Sequence, residues 1–307
     1  MTDFRNHPLY KVHTIDTAMN SLWDFYKKNF LVLFIMSAVF AIVMQYLSLS
    51  VDMKDIQSNP DPLIMLEKMK AFLVPMLIIS LINLLLTTII QHYILFSPVD
   101  SSNSVLTSVL KSLRYFIPYL IILIMLSFAG AFAIVIGLLA LIVGAVFAAL
   151  YILTLYLFIL PVMMAESPDI GRTVSRVFKL AHRDFWANFG WVAAIIVILL
   201  VISLILSGII LLPFAGSFFK TLFNPEAASA AIEMTKNPLF IILSALANAV
   251  TIPVMPIFAT ILYFNGKAKE DKKETEYMHS NEEPRVRVED LYAKPYSDDH
   301  PENPEKK

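Results

Sequence analysis

The chain contains no cysteine. That excludes disulfides, thiolate metal ligands and a cysteine nucleophile. Glycine is also scarce, at eight residues in 307, and no glycine-rich turn of the kind that cradles phosphate can be found. Charge is the third shortage: charged residues make up 16% of the chain, against about 25% in soluble domains. Residues 266–307 take 9 of the 24 Lys+Arg and 12 of the 25 Asp+Glu, so the first 265 residues carry only 28 charges. None of these falls inside a long apolar run. A charged side chain at the centre of a membrane helix costs about 2.5–3.5 kcal/mol on insertion scales and usually marks function. Its absence argues against ion- or proton-coupled transport through buried carboxylates. His7, His13 and His182 lack metal-ligand spacing, and His92 is alone in its run. No Ser-His-Asp or paired-carboxylate arrangement appears. No catalytic residue, metal or cofactor is therefore nominated. The net charge of −1 averages two unlike regions and gives no reason to expect nucleic acid.

What the chain has in excess is apolar sequence, 57% of its residues. A span of ~30 Å of hydrocarbon needs about 20 such residues. Phe30–Ser50, Phe72–Phe96, Phe189–Pro213 and Leu239–Phe264 each qualify. The first follows a polar segment with Arg5, Lys11, Lys27 and Lys28, which reads as a retained span rather than a cleaved signal. Phe116–Ala165 is uncharged over fifty residues, roughly 75 Å as one helix. It must cross twice, turning near Leu138–Val143 beside Gly137 and Gly144. Six spans with cytoplasmic ends put fourteen near-membrane Lys/Arg inside and five outside, the sense the positive-inside rule requires. One crossing by the long block would give eight against eleven. The expectation is an all-α polytopic membrane bundle of six transmembrane helices over residues 1–265. It would lie in the cell (inner) membrane, with a disordered charged cytoplasmic tail at 266–307.

Each odd-numbered span is preceded by a segment that is amphipathic at 100° per residue. The apolar faces are Ile15/Met19/Leu22/Tyr26, then Leu106/Leu110/Leu113, then Ile170/Val174/Val177/Ala181/Phe185. The sequence thus predicts three cytoplasmic interfacial helices, with aromatics such as Trp23, Tyr115 and Trp186 entering the membrane behind them. The unit is interfacial helix plus helical hairpin, repeated three times. Ser167-Pro168-Asp169 offers an N-cap, a proline at N1 and an acidic first turn to the third such helix. Asn59-Pro60-Asp61-Pro62 before Leu63–Lys70, and Asn224-Pro225-Glu226 before Ala227–Lys236, read as capped helices in two outside loops.

Pro161, Val162, Glu166, Leu180, Phe185, Trp186, Phe189 and Gly190 form a pattern. In it a span ends in Pro-Val, a Glu follows, and an amphipathic helix closes in Leu, Phe-Trp and Phe-Gly. On these positions residues 157–213 resemble the bacterial integral membrane domains fused to some glycerophosphodiester phosphodiesterases, and their stand-alone relatives. Val177 stands where that family often has serine. The resemblance implies a six-helix membrane domain over about residues 10–265. It implies no activity, since these 307 residues leave no room for a soluble hydrolase domain.

Several residues are candidates for function. The basic stripe Arg172, Arg176, Lys179 and Arg183 is an anchor for anionic lipid headgroups, at about 1 kcal/mol per basic residue, or a site for a phosphate-bearing lipid or acidic partner. Glu166 at the membrane boundary is placed to pair with one of the arginines. Among polar residues in the spans, Asn83 and Asn248 are the most central; with Pro253 and Pro256 in a kinked last helix they are candidates to line a cavity. Their bland alternative is interhelical hydrogen bonding. Gly130, Ala133, Gly137, Ala140, Gly144 and Ala148 have the small-residue spacing of closely packed membrane helices. Residues 285–296, with Val286-Arg287-Val288 alternating in polarity, are a candidate protein-docking segment. The function expected is a non-enzymatic scaffold or assembly component, with a lipid or amphiphile transporter and a membrane enzyme on lipid headgroups as alternatives.

Overall fold

A computed structural model describes residues 3–48, 62–100, 102–216 and 236–282. They are almost wholly helical, with no strand among them. The helices are α1 (Ile15–Lys28), α2 (Phe30–Ser48), α3 (Pro62–Phe96), α4 (Val105–Leu139), α5 (Leu141–Ala165), α6 (Ile170–Arg183), α7 (Phe185–Leu211), α8 (Pro238–Thr251) and α9 (Val254–Glu282). Six segments are long and apolar enough to cross a membrane: α2, the apolar part of α3, α4, α5, α7, and α8 continued into α9. The fifty-residue block does turn back on itself. The turn is a single residue, Ala140, followed by Leu141 in the left-handed region at φ 67°. The expected outside helix Leu63–Lys70 is the start of α3; Ala227–Lys236 falls almost wholly outside the described residues.

The interfacial pattern differs from expectation in its middle member. α1 and α6 are separate helices, ended at Asn29 and Asp184 before their spans begin. Residues 105–115, by contrast, are the first turns of the continuous helix α4, which carries straight on through Pro118. There Leu106, Leu110 and Leu113 point outward while Ser108 and Ser112 are fully buried. Asn103 donates to the Ser108 hydroxyl at 3.0 Å, so the polar face has a partner within the protein and the leucines are left for lipid. Ile15 is exposed, and Ala18, Leu22, Phe25 and Tyr26 form the buried face of α1. At α6 the N-cap is Asp169, whose carboxylate accepts from Arg172 N at 2.8 Å. Pro168 therefore stays outside the helix, two residues from its expected place at N1.

A second correction concerns the tail. Residues after Gly266 continue α9 to Glu282 rather than beginning a disordered segment. Lys267–Asp271 and Lys272–Glu276 pair at i,i+4 along it. Residues 285–296 lie outside the described residues.

The last span forms the centre of the bundle. Pro253 and Pro256 are buried where α8 gives way to α9; neither has an N–H to offer the carbonyl four residues earlier, and the helix breaks there. Beyond the break Ile257, Phe258, Ile261, Leu262 and Phe264 are fully buried, against α5, α3 and α1. The matching buried stretches are Leu86–Leu95 of α3 and Thr154–Met164 of α5. All belong to one half of the bundle. In the other half Leu138, Leu139, Leu204 and Ile205 face outward, and little of α4 and α7 is buried.

Candidate functional site

At the tightly packed end of the bundle three distant parts of the chain converge. The first is the segment Asp3–His13 ahead of α1. His7 is buried, its ring 4.8 Å from that of Phe264. Its Nε2 donates to the Ile94 carbonyl at 3.0 Å, and its Nδ1 accepts from Leu9 N at 3.1 Å. Burial holds it neutral, pushing its pKa down to about 4. Further along, His13 N donates to Asn265 Oδ1 at 2.9 Å. A short leader thus lies as a strap across the middle of α9.

The second part is α6. Thr173, Val177, Leu180 and Ala181 are its buried face, and this orients the basic stripe. Arg172 and Lys179 project outward. Arg176 and Arg183 instead turn back toward α9. Arg176 Nε donates to Glu166 Oε1 and Oε2 at 3.0 and 2.8 Å. Its Nη1 reaches Glu270 Oε1 at 2.8 Å, and Nη2 closes the fork on Oε2. Arg183 Nη1 lies 2.9 Å from the same Glu270 Oε1, and its Nη2 donates to the Gly266 carbonyl. Such bidentate, charge-assisted pairs are the strong form of the interaction. All four side chains are under 30% exposed, so water screens them poorly. Removing one partner from such a group costs about 3–5 kcal/mol.

The third part is a single turn of α9. Lys269 Nζ pairs with Asp184 Oδ2 at 2.8 Å and holds that carboxyl below the usual range. Glu270 takes Arg176 and Arg183. Asp271 accepts from the Tyr10 hydroxyl at 2.7 Å and pairs with Arg5 at 3.4 Å. Desolvation, with Asp271 adding to it, pushes the Tyr10 hydroxyl well above its ordinary pKa. Consecutive residues thus bind the end of α6, its middle, and the strap. Just inside, the Tyr263 hydroxyl donates to Glu166 Oε1 at 3.1 Å.

Glu166 therefore pairs with an arginine, and that arginine is Arg176. Neither it nor Arg183 is free, whereas Arg172 and Lys179 flank an open basin of about 1030 Å³ between strap, α6 and α9. Sequence reasoning missed Glu270, Asp271, Lys269 and Tyr10. The signal for the first three was the i,i+4 charge pairing that extends the helical pattern beyond Gly266.

The intramembrane candidates separate. Asn248 lines a cavity of about 330 Å³ between α7 and α8, with Ser203, Ser207, Ser244 and Thr251. Pro253 and Pro256 are buried at the kink instead, and Asn83 faces outward on α3. Gln91 Nε2 bonds Thr260 Oγ1 at 2.7 Å and joins α3 to α9. Among the described residues no group of three His, Asp or Glu is placed to hold a metal ion. Compared with protein families, curated proteins and solved structures, the chain matches none.

Proposed function

We propose that this protein is a non-enzymatic membrane scaffold or assembly component, presenting a rigid cytoplasmic platform built from the strap, α6 and the projecting end of α9. The observation that carries this reading is the network centred on Arg176 and Glu270. It fixes α6 to α9 and to the end of α5, while the neighbouring Asp271 holds the strap, and its charged groups are consumed in holding that shape. Orientation follows from the excess of Lys and Arg at this end, in a cell (inner) membrane. Arg172 and Lys179 are the two stripe residues left outward-facing, and they draw the platform toward anionic headgroups at about 1 kcal/mol each. Residues 285–296 are proposed as the docking segment for a protein partner.

The test is purification of the full chain from its native membrane in mild detergent. A stoichiometric partner protein should accompany it. Arg176→Gln, which leaves Glu270 and Glu166 short of a cation, should weaken that association. A chain ending at Glu282 tests the tail separately while keeping the platform whole. Recovery of the wild-type protein with no partner would overturn the reading.

A further inference from the structure

In the less buried half of the bundle α7 and α8 run side by side around the 330 Å³ cavity lined by Ser203, Ser207, Ser244, Asn248 and Thr251. At 1.5 Å per residue Asn248 lies roughly 15 Å along the helix from Pro238, about half the depth of a ~30 Å hydrocarbon layer. Ser207 lies four residues from the end of α7. The cavity therefore opens into lipid and runs from the bundle's far end to mid-depth.

Hydrocarbon offers no hydrogen bonds, so polar groups at this depth must be satisfied within the protein or by something bound to it. Elsewhere in the spans several hydroxyls do this locally, although the buried Ser37 hydroxyl in α2 has no partner among the described residues. Ser80, Thr87, Thr88, Thr154 and Thr260 each donate to the carbonyl four residues earlier, at 2.8–2.9 Å. Thr251 likewise turns onto the Asn248 carbonyl at 3.1 Å. The hydroxyls of Ser203, Ser207 and Ser244 and the amide of Asn248 make no side-chain hydrogen bond among the described residues. All four open onto the same cavity. An amide carries two donors and an acceptor, more than a serine can satisfy by turning back on its own helix.

The chemistry of an occupant follows. α7 and α8 contain no charged residue and Lys236 lies ahead of the α8 N-cap, twelve residues from Asn248, so a phosphate, carboxylate or ammonium at the depth of Asn248 would lie unpaired. The walls are otherwise apolar, with Leu206, Ile210, Leu211 and Phe240. The volume is at the lower end for ligand sites and suits a head rather than a whole lipid. We propose that the groove between α7 and α8 binds an uncharged amphiphile of the glyceride class, with Asn248 as its hydrogen-bonding anchor. Ester carbonyls accept from Asn248 Nδ2 and the serine hydroxyls, a free glycerol hydroxyl donates to Asn248 Oδ1, and the acyl chains remain in the bilayer.

The experiment is native mass spectrometry of the full chain in mild detergent, incubated with dioleoylglycerol or with dioleoylphosphatidic acid. The wild type should retain dioleoylglycerol in preference to the phosphatidate. Asn248→Leu should lower its occupancy about tenfold, the loss of one or two net hydrogen bonds. Ser207→Val with Ser244→Val should lower it in the same direction. Asn83→Leu removes an outward amide from α3, away from this cavity, and should leave retention unchanged. Equal retention by wild type and Asn248→Leu would overturn the proposal, as would preference for the phosphatidate or equal loss with Asn83→Leu. A wild type that binds neither lipid makes the groove a water-filled defect. A dimer dissolved by Asn248→Leu makes its cover a second copy. Either result also defeats the assignment.

Discussion

The histidine at position 7 concentrates much of the local physics. Its ring is sealed between Phe25 and Phe264, and both nitrogens are engaged with backbone groups, one donating and one accepting. A second proton would set an N–H against the Leu9 N–H. Its folded pKa, about 4, lies below the unfolded value of 6.5. The stability it contributes is therefore full above pH 6.5 and is lost as pH falls toward 4, amounting to about 3 kcal/mol. Burial also lowers the pKa of His13, which acts in the same direction. Thermal unfolding in detergent should show a lower midpoint at pH 5 than at pH 7. His7→Gln, which keeps a donor near the Ile94 carbonyl, should flatten that dependence. An unchanged slope in the variant would place the titrating group elsewhere. None of this was legible in the sequence, where His7 is simply a histidine in a polar leader; its burial depends on a contact with Phe264. The pairing of Glu166 was legible because its partner is ten residues away, while Glu270 is 94 residues from Arg176 and sits beyond the last apolar run.

Helices were the most legible level, since 20-residue apolar runs and the fourteen-to-five distribution of basic residues report directly on the bilayer. The reversal inside the uncharged block shows how small residues make it possible. A Cβ on Gly137 would lie 2.6 Å from the Gly144 carbonyl oxygen, and one on Gly144 would fall onto the Gly137 carbonyl. The backbones of α4 and α5 thus touch beside the turn. Leu141 accepts a left-handed conformation that costs a non-glycine residue about 1 kcal/mol or more. Gly144→Ala should force the helices apart and lower stability by about 1–3 kcal/mol. Gly208→Ala, where nothing lies within 4 Å, should be neutral or slightly stabilising. Midpoints of thermal unfolding compare the two directly, and equal effects would refute the close approach. The second amphipathic segment was misread as a separate interfacial helix because periodicity cannot tell which face finds a protein partner. Here Ser108 and Ser112 found one and the leucines met lipid.

At the scale of the whole molecule, packing is asymmetric: one half is a dense core around α9 and the other is open. The dense half carries the strap and α6, each in contact with the projecting α9, and the platform proposed above requires all three on one face of the membrane. The chain's lack of cysteine makes this easy to check. Asp3→Cys, Ser175→Cys and Lys273→Cys, each introduced alone, should react with an impermeant maleimide from the same side, the cytoplasmic one. Labelling of Ser175→Cys from the opposite side to Lys273→Cys would dismantle the six-span plan.

The bridge from Arg5 and Tyr10 to Asp271 has a consequence in time. A ribosome makes residue 5 long before residue 271, and the strap's seat on Phe264 and Asn265 belongs to the last span. Until those residues are made the leader has only part of its seat, the Ile94 carbonyl and the rings of Phe25 and Phe96, and the rest of the strap stays available to whatever handles an unfinished polypeptide. Full docking waits for Phe264–Asp271, so the strap closes only once the last span has been made.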